Sequence, residues 1–170
     1  MNLIGKNIQI RGFKNEDFEA FFALVSDKRN HELAGLEYTD DRTFAQNLLE
    51  LYQRRQGAFV IALKKTDQLV GIIELNKRGE SNALLLTREI GFVVSRDFRR
   101  QGYAKEAVQL LIDYGFNEIH LNEIWAATET KNLAPQELLE SLNFKYIYEA
   151  EQTLPYTGQH NLVKYYVLKK

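Results

Sequence analysis

The 170-residue sequence contains no cysteine, and this absence excludes several kinds of chemistry. A disulfide scaffold, a cysteine-ligated zinc or iron–sulfur site and a cysteine nucleophile all require that side chain. Long apolar runs are also missing, since no stretch approaches the roughly 20 apolar residues that a membrane helix needs. The opening residues 1–6 contain too few apolar side chains for a signal peptide. We therefore expect a cytoplasmic protein with no membrane partner.

The sequence also has no excess of charge of either sign. Lys and Arg total 22 against 23 Asp and Glu, which gives a formal net charge of −1. This balance provides no general attraction for a polyanion, so we expect no nucleic-acid partner. Apolar residues make up 45% of the chain, as in ordinary globular proteins. Because no low-complexity linker or internal repeat interrupts the chain, we predict a single domain over residues 1–170.

Hydrophobic periodicity predicts a chain that mixes strands and helices. The clearest helical stripe covers residues 103–119, and two apolar runs joined by a polar tract, 58–63 and 69–75, are typical of a hairpin. The predicted order is β-α-α-β-β-β-α-β-α-β-β, with strands at 7–13, 58–63, 69–75, 83–94, 123–128, 144–149 and 162–168 and helices that begin near 15, 39, 103 and 135. This order favours an α+β (α/β three-layer) domain with a mixed sheet and helices on both faces.

The first two predicted helices each contain an apolar stripe that we expect to face the core. The stripes are Phe18, Phe21, Phe22 and Val25 in the first helix and Phe44, Leu48, Leu51 and Tyr52 in the second. We also expect Trp125 to belong to the core rather than to a ligand site.

The most informative segment is residues 89–105, where a strand leads into a basic loop and then into the clearest helix. The first turn of a helix has free N–H groups and a partial positive charge, which together attract anions. Gly102 and Ala104 are small, and Arg99, Arg100 and Lys105 add positive charge. These features are those of a pyrophosphate site, although the P-loop and dinucleotide-binding signatures are absent. A helix start without a ligand, beside solvated arginines, remains the alternative.

The spacing Arg99-x-x-Gly102-x-Ala104 resembles the Gln/Arg-x-x-Gly-x-Gly/Ala motif of the GNAT N-acetyltransferase superfamily, in which it binds the pyrophosphate of acetyl-CoA. Further segments resemble the RimJ/RimL branch in the same chain order: IQIRGF at 8–13, LVGII at 69–73, EIGF at 89–92, DYGF at 113–116, and the run from Asn132 to Phe144. The resemblance covers nearly the whole chain. It implies a GNAT-like mixed, splayed central sheet and acetyl-CoA as cosubstrate.

The resemblance also implies a set of cofactor-binding residues. The loop amides would hold the pyrophosphate, and the main chain of the preceding strand would pair with the pantetheine arm. Asn132 matches a residue that bonds this arm, although capping of the next helix is an equally good interpretation. The matching positions are Phe92, Val93, Val94, Arg99, Arg100, Gln101, Gly102, Tyr103, Ala104, Lys105 and Asn132. No metal is expected, because the three histidines lack metal-ligand spacing.

Acetyl transfer to an amine needs a base to keep the amine neutral and an acid to protonate the departing thiolate. Glu89 is the first candidate for the base and Glu74 the second, while an ion pair of Glu89 with Arg88 or another cation is the structural alternative. Many RimJ/RimL relatives have Ser where this chain has Pro135, which has no side-chain proton and no N–H. The acid would then be water or a late tyrosine, namely Tyr146, Tyr148 or Tyr156.

The leading functional hypothesis is an acetyl-CoA-dependent N-acetyltransferase that acts on a primary amine, with a protein N-terminal Ala or Ser as one acceptor. A small-amine acceptor such as a polyamine or aminoglycoside is the nearest alternative. A polyamine site would need clustered carboxylates near the acceptor, and the available ones are Glu32, Glu37, Asp40 and Asp41. Tyr156 and His160 are further candidate contacts of the acceptor. A non-catalytic acyl-CoA-binding sensor is the second class. The expected assembly is a monomer or a homodimer.

Overall fold

The computed structural model describes residues 1–153, 158 and 160–170. Its centre is one mixed sheet of eight strands in the order β1-β2-β3-β4-β5-β6-β8-β7. The strands are β1 (Leu3–Ile4), β2 (Ile8–Arg11), β3 (Ala58–Leu63), β4 (Leu69–Lys77), β5 (Thr87–Val94), β6 (Glu123–Glu129), β7 (Lys145–Thr153) and β8 (His160–Lys169). The predicted hairpin is confirmed, since β3 and β4 pair antiparallel.

Five α-helices in the described part of the chain cover the two faces of this sheet. They are α1 (Phe18–Val25), α2 (Lys28–Ala34), α3 (Arg42–Arg54), α4 (Tyr103–Asp113) and α5 (Leu133–Ser141). One core packs α1 and α3 against β3 and β4, while the other packs α4 and α5 against the opposite face. The predicted mixed sheet with helices on both faces is therefore confirmed.

Three details differ from the sequence-based expectation. Helix α2 was not predicted, because its sequence KRNHELA has too few apolar positions for a stripe. In α3 the buried side chains are Ala45, Leu48, Leu49 and Tyr52, so the predicted stripe was wrong at Phe44 and Leu51, which are exposed. The extended run predicted from residue 83 starts as a single helical turn at Asn82–Leu84, and β5 begins only at Thr87.

The feature that shapes the functional region is a split between β5 and β6. Helix α4 connects these two strands, which pair parallel from Thr87 opposite Glu123 to Ile90 opposite Ala126. Among the described residues this pairing stops there, although β5 continues to Val94 and β6 to Glu129. The unpaired ends leave main-chain groups free on either side of the gap. The splayed sheet implied by the resemblance is thus present in the structure.

A polar cluster far from this split ties the first core strand to the β3–β4 turn. The buried guanidinium of Arg11 pairs with Asp17 at 2.8 Å and with Asp67 at 2.6 Å. Lys14 bonds the other carboxylate oxygen of Asp67 at 2.5 Å. Although partial burial raises the pKa of Asp67, the hydrogen bonds from Lys14 and Arg11 outweigh it and lower this pKa to about 2. Asp67 is therefore ionised at any ordinary pH.

None of the described helices is both long enough and apolar enough to cross a membrane.

Candidate active site

A cleft of about 450 Å³ lies at the split, where β5 ends and α4 begins. Helices α2 and α5 form its other walls. Of the described residues that line it, four are cationic and none is acidic. They include Arg29, Leu33, Phe92, Val93, Val94, Phe98, Arg99, Arg100, Gly102, Tyr103, Ala104, Lys105, Asn132, Pro135 and Leu138. We call this the cationic cleft, and it contains every predicted cofactor residue except Gln101.

The backbone of the loop before α4 turns sharply at two positions. Gly102, the residue that precedes the helix, has φ of 83°, and Arg100 has φ of 60°. Both values lie in the left-handed region, which glycine enters at little cost and a side chain resists. A Cβ placed on Gly102 would meet no described atom within 4 Å. The glycine thus serves the turn, and the space beside it is open to a ligand.

The turn leaves six consecutive N–H groups without a backbone acceptor. The last loop bond before the helix is donated by Arg99 to the carbonyl of Arg96, and the next bond after the turn runs from Glu106 to Gly102. Between them, the N–H groups of residues 100–105 donate to no described residue. Unpaired N–H groups at a helix start bind anionic oxygen well. The exposed side chains of Arg100 and Lys105 add positive charge beside them.

The side chain of Arg99 holds this loop in place instead of pointing freely into the cleft. Its Nε donates to the carbonyl of Val94 at 2.9 Å, and its guanidinium donates to Oδ1 of Asn30 at 2.8 Å. Asn30 is buried in α2 and donates in turn to the carbonyl of Leu24 at 3.0 Å. Arg99 therefore ties the end of β5 to α2, and its main chain is what it presents to the cleft.

Asn132 and Pro135 lie on the opposite wall, at the start of α5. Asn132 is the residue that precedes α5, as the capping interpretation expected, but its side chain accepts no capping bond from described residues. Its Nδ2 instead points toward the carbonyl of Leu33 in α2 at 3.4 Å, a weak contact that a ligand could replace. Pro135 lines the cleft, so no hydroxyl stands at the position where relatives often have serine.

The other side of the split has a second opening, centred on Gly91. The neighbours of Gly91 in β5, Ile90 and Phe92, pack with α4 and α5, so Gly91 itself faces the opposite side of the sheet. There it is exposed although it lies on a central strand, and a Cβ would meet no atom of the described residues within 4 Å. The residue directly opposite Gly91 on β4 is Glu74. We call this opening the Gly91 hollow.

Glu89 borders the Gly91 hollow one residue before the split. It lies opposite Asn76 on β4 and Trp125 on β6, and its Oε2 is 4.0 Å from Nε of Arg78. Burial raises the pKa of Glu89 above its ordinary value, and the charge of Arg78 only partly offsets this. The structural alternative, an ion pair with Arg88 or another cation, is therefore met by Arg78. Arg88 is not the partner, because it donates to the carbonyls of Leu85 and Thr87.

Glu74 belongs to a polar network between β4 and the α1–α3 side. Its Oε1 is 3.3 Å from Arg55, its Oε2 accepts from Asn76 at 3.1 Å, and burial raises its pKa. Arg55 also contacts Glu37 at 3.4 Å, and Glu37 accepts a bond from the hydroxyl of Tyr52 at 2.5 Å. A group held this way is less free than Glu89 to take a proton from a substrate.

The four carboxylates considered for a polyamine acceptor lie in different local settings. Glu32 and Asp40 are exposed, and Asp41 caps α3 by accepting from the N–H of Phe44. Glu37 joins the network described above and is the one of the four that shares an arginine with Glu74 there.

Two of the late tyrosines considered as the acid lie on β7. Tyr148 stacks on Tyr165 with their ring centroids 4.8 Å apart. The pKa of Tyr165 is raised mainly by burial and in addition by the negative charge of Glu89. Tyr146 packs against Tyr166 instead, on the α5 side. His160, at the start of β8, is exposed and lies beside Thr153, whereas Tyr156 lies outside the described residues.

Sequence reasoning missed Arg78, Arg55 and Tyr165. Arg55 follows α3, Arg78 lies in the connection between β4 and β5, and Tyr165 lies on β8. Only the fold brings them to the Gly91 hollow, so no local pattern could have indicated them. The two openings meet at one split strand pair. One can bind an anionic phosphate ester, and the other offers a carboxylate of raised pKa to a basic group.

Comparison with known proteins agrees with this arrangement. Residues 7–145 match the family described as acetyltransferase (GNAT) domain. An uncharacterized N-acetyltransferase, p20 of Bacillus licheniformis, is 29% identical over 148 residues, which cover 84% of this chain and 82% of the relative. The putative ribosomal N-acetyltransferase YdaF of Bacillus subtilis is 24% identical over 98% of this chain and 93% of its own.

Solved structures share the fold along nearly the whole chain. A GNAT-family acetyltransferase from Bacillus anthracis superposes with a TM-score of 0.85 at 23% identity, covering 99% of this chain and 98% of its own. RimJ of Mycobacterium smegmatis, in complex with CoA-disulfide, gives 0.81 at 17% identity, with coverage of 99% and 87%. A spermidine N-acetyltransferase from Vibrio cholerae, in complex with CoA and spermine, gives 0.77 at 17% identity, with coverage of 96% and 95%. The fold, the split strands and the family match together show that this chain belongs to the GNAT family of N-acetyltransferases.

Proposed function

We propose that residues 1–170 form one acetyltransferase domain that moves an acetyl group directly from acetyl-CoA to a primary amine. The observation that supports this most strongly is the pairing of two openings at one split in the sheet. The cationic cleft, with its six free N–H groups, lies on one side, and Glu89 borders the Gly91 hollow on the other. A thioester that passes through the split would meet an amine held in the hollow.

The cationic cleft fits the diphosphate of CoA. The N–H groups of residues 100–105 would donate to its oxygens, Gly102 leaves room for their approach, and Arg100 and Lys105 would balance their charge. Phe92, Val93 and Val94 pair with β4 but not with β6, so the edge of this main chain that faces the split is available to the pantetheine arm, and Asn132 could bond the same arm from the opposite wall.

Glu89 would serve as the base of the transfer. An amine attacks only when it is neutral, and a carboxylate of raised pKa accepts a proton more readily than an ordinary one. The new C–N bond forms as the C–S bond breaks, the amine proton passes to Glu89, and the sulfur leaves as thiolate. Since the chain has no cysteine, no acyl-cysteine intermediate can form. Water would protonate the thiolate, because Pro135 provides no proton.

The acceptor amine belongs to one of two classes. The ribosomal N-acetyltransferase relative supports a protein N-terminus such as Ala or Ser, whereas the spermidine enzyme supports a small amine. A specific observation favours a second function as well. Pro135 removes the expected hydroxyl from the cleft, and a chain that binds acyl-CoA without transferring it would act as a sensor.

Release of free CoA from acetyl-CoA, followed with a thiol reagent over a panel of amines, tests the proposal. The protein has no thiol of its own, so it adds no background to this assay. We expect amine-dependent release with at least one acceptor among N-terminal peptides, polyamines and aminoglycosides. Saturable binding of acetyl-CoA without release on any amine would contradict transfer and favour the sensor.

A further inference from the structure

Among the described residues Arg78 is the cation paired with Glu89, and it lies in an unusual setting. It belongs to the connection between β4 and β5, and its guanidinium lies over the indole ring of Trp125, with Cζ 4.0 Å from the ring centroid. Only 21% of its side chain is exposed. Its Nε and Oε2 of Glu89 are 4.0 Å apart, which is beyond hydrogen-bond distance.

The N–H donors of Arg78 have no hydrogen-bond acceptor among the described residues. The other enclosed arginines differ, since Arg11 donates to Asp17 and Asp67, and Arg99 donates to Val94 and Asn30. A guanidinium has five N–H donors in a rigid plane, and leaving them without acceptors in a partly dry site is costly. Stacking on Trp125 fixes the plane while its edge stays available.

We propose that Arg78 binds an oxygen group of the acceptor and thereby selects its class. The acceptor would be an amine with a carboxylate or carbonyl oxygen a few bonds away, as in an amino acid or a peptide N-terminus, and not a simple polyamine. This inference rests on the proposed function, because it assigns the other end of the molecule whose amine reaches Glu89.

The position of Arg78 explains why amine and oxygen would bind together. Glu89 and Arg78 are close enough that one small molecule can contact both, with its amine toward the carboxylate and its oxygen toward the guanidinium. Planar pairing of guanidinium with carboxylate is geometrically specific.

The charges around the hollow are mixed and not uniformly acidic. Three carboxylates, Glu37, Glu74 and Glu89, are accompanied there by two arginines, Arg55 and Arg78. The second ammonium of a polyamine would be repelled wherever it lay near one of these guanidinium groups. Of the four carboxylates predicted from the sequence, only Glu37 contacts this group in the described part of the chain.

The test compares acceptors that differ in the oxygen group: alanine, alaninamide, ethylamine and putrescine, each with wild type and Arg78→Gln. We expect Arg78→Gln to lower the ratio of kcat/KM for alaninamide to kcat/KM for ethylamine by about tenfold, since loss of a hydrogen bond from a charged donor commonly weakens binding by at least this factor. Comparing ratios cancels the different basicity of the amines and any change at Glu89. Alanine against alaninamide distinguishes a carboxylate from a carbonyl requirement.

Arg88→Gln is the matched control. This variant removes the same charge from the residue next to Glu89 on β5. Because the side chain of Arg88 donates to the carbonyls of Leu85 and Thr87, the ratio of kcat/KM for alaninamide to that for ethylamine should stay at its wild-type value. An unchanged ratio in Arg78→Gln, or putrescine as the better substrate of the wild type, would overturn the inference.

A second measurement does not depend on turnover. Trp125 is the only tryptophan of the chain, so its fluorescence reports directly on the guanidinium above it. Alaninamide should change the emission saturably in wild type but not in Arg78→Gln, and ethylamine should have no such effect. Equal responses to both amines, or none to either, would contradict oxygen binding at Arg78. A positive response without CoA release would contradict the proposed transfer alone.

Discussion

The cationic cleft contains four cationic side chains and a row of free N–H groups, whereas the Gly91 hollow contains carboxylates that each lie near an arginine. The cleft is formed largely by consecutive residues, 99–105, around one left-handed turn. The hollow is assembled from separate strands and their connections, so no single segment defines it. The difference indicates that one opening binds a fixed anionic group and the other recognises a molecule of mixed charge.

The first test of this difference between the two openings changes the proposed base, Glu89, where we expect the largest effect on turnover. Glu89→Gln should reduce turnover by about 10²–10⁴-fold, the usual contribution of a general base. In wild type, the rate should rise with pH through the raised pKa of Glu89, because only the ionised carboxylate accepts a proton. In the variant this rise should flatten, as a pH–rate profile of CoA release would show. An unaltered profile would assign the role to Glu74 or to water.

The second change concerns the cationic cleft alone. Gly102→Glu should weaken acetyl-CoA binding by about 100-fold, because it adds a carboxylate to an anion site and about 1–2 kcal/mol of left-handed backbone strain. Gly102→Ala is the control, since it has the same φ but no charge. Calorimetric titration with acetyl-CoA measures both variants. Equal affinity of Gly102→Glu and wild type for acetyl-CoA would show that the diphosphate does not bind at this loop.

The third change fills the hollow. Gly91→Val places a side chain suited to a strand into open space, so we expect the fold to keep its stability. Transfer should fall by about tenfold or more, because a displacement of roughly 1 Å in a reacting group can cost as much as about 10²-fold. Thermal unfolding and CoA release on the same preparation separate the two effects. Transfer at the wild-type rate would show that the acceptor does not bind over Gly91.

The smallest effect is expected at Asp67, which pairs with Arg11 and Lys14 and does not line the cationic cleft. Because its pKa is lowered on folding, its carboxylate stabilises the fold at pH values above the unfolded-state pKa of 3.8, and this stabilisation is lost as the pH falls toward 2. Because its side chain is 41% exposed, the contribution should be about 1 kcal/mol or less. Urea unfolding of Asp67→Asn should therefore depend less on pH between 5 and 2.5 than wild type, with Asp40→Asn as control and transfer at neutral pH unaffected.

The parts of the site that the sequence predicts are those formed by neighbouring residues. The turn at Gly102 and the helix after it depend on local conformation and a short motif, and the hairpin depends on two adjacent apolar runs. Helix α2 was missed because its side chains pack through Asn30 and not through an apolar stripe. In α3 the apolar pattern included Phe44 and Leu51, since hydrophobicity alone does not distinguish two adjacent faces of one helix.

The Gly91 hollow could be predicted only in part. Glu89 and Glu74 were named from the resemblance, but their surroundings depend on strand register, which a single sequence does not determine. Arg78 precedes Glu89 by eleven residues, and only the fold brings it over Trp125, which the sequence assigned to the core. Half-burial of Trp125 is the signal that separates these interpretations, and it is visible only in three dimensions.

Cofactor and acceptor are proposed to bind on different sides of the split between β5 and β6. Calorimetric titration of Gly91→Val with acetyl-CoA, beside Gly102→Glu, distinguishes the two sides. We expect Gly91→Val to bind acetyl-CoA within about threefold of wild type, while Gly102→Glu loses about 100-fold. An equal loss of affinity in the two variants, or a loss confined to Gly91→Val, would contradict this arrangement.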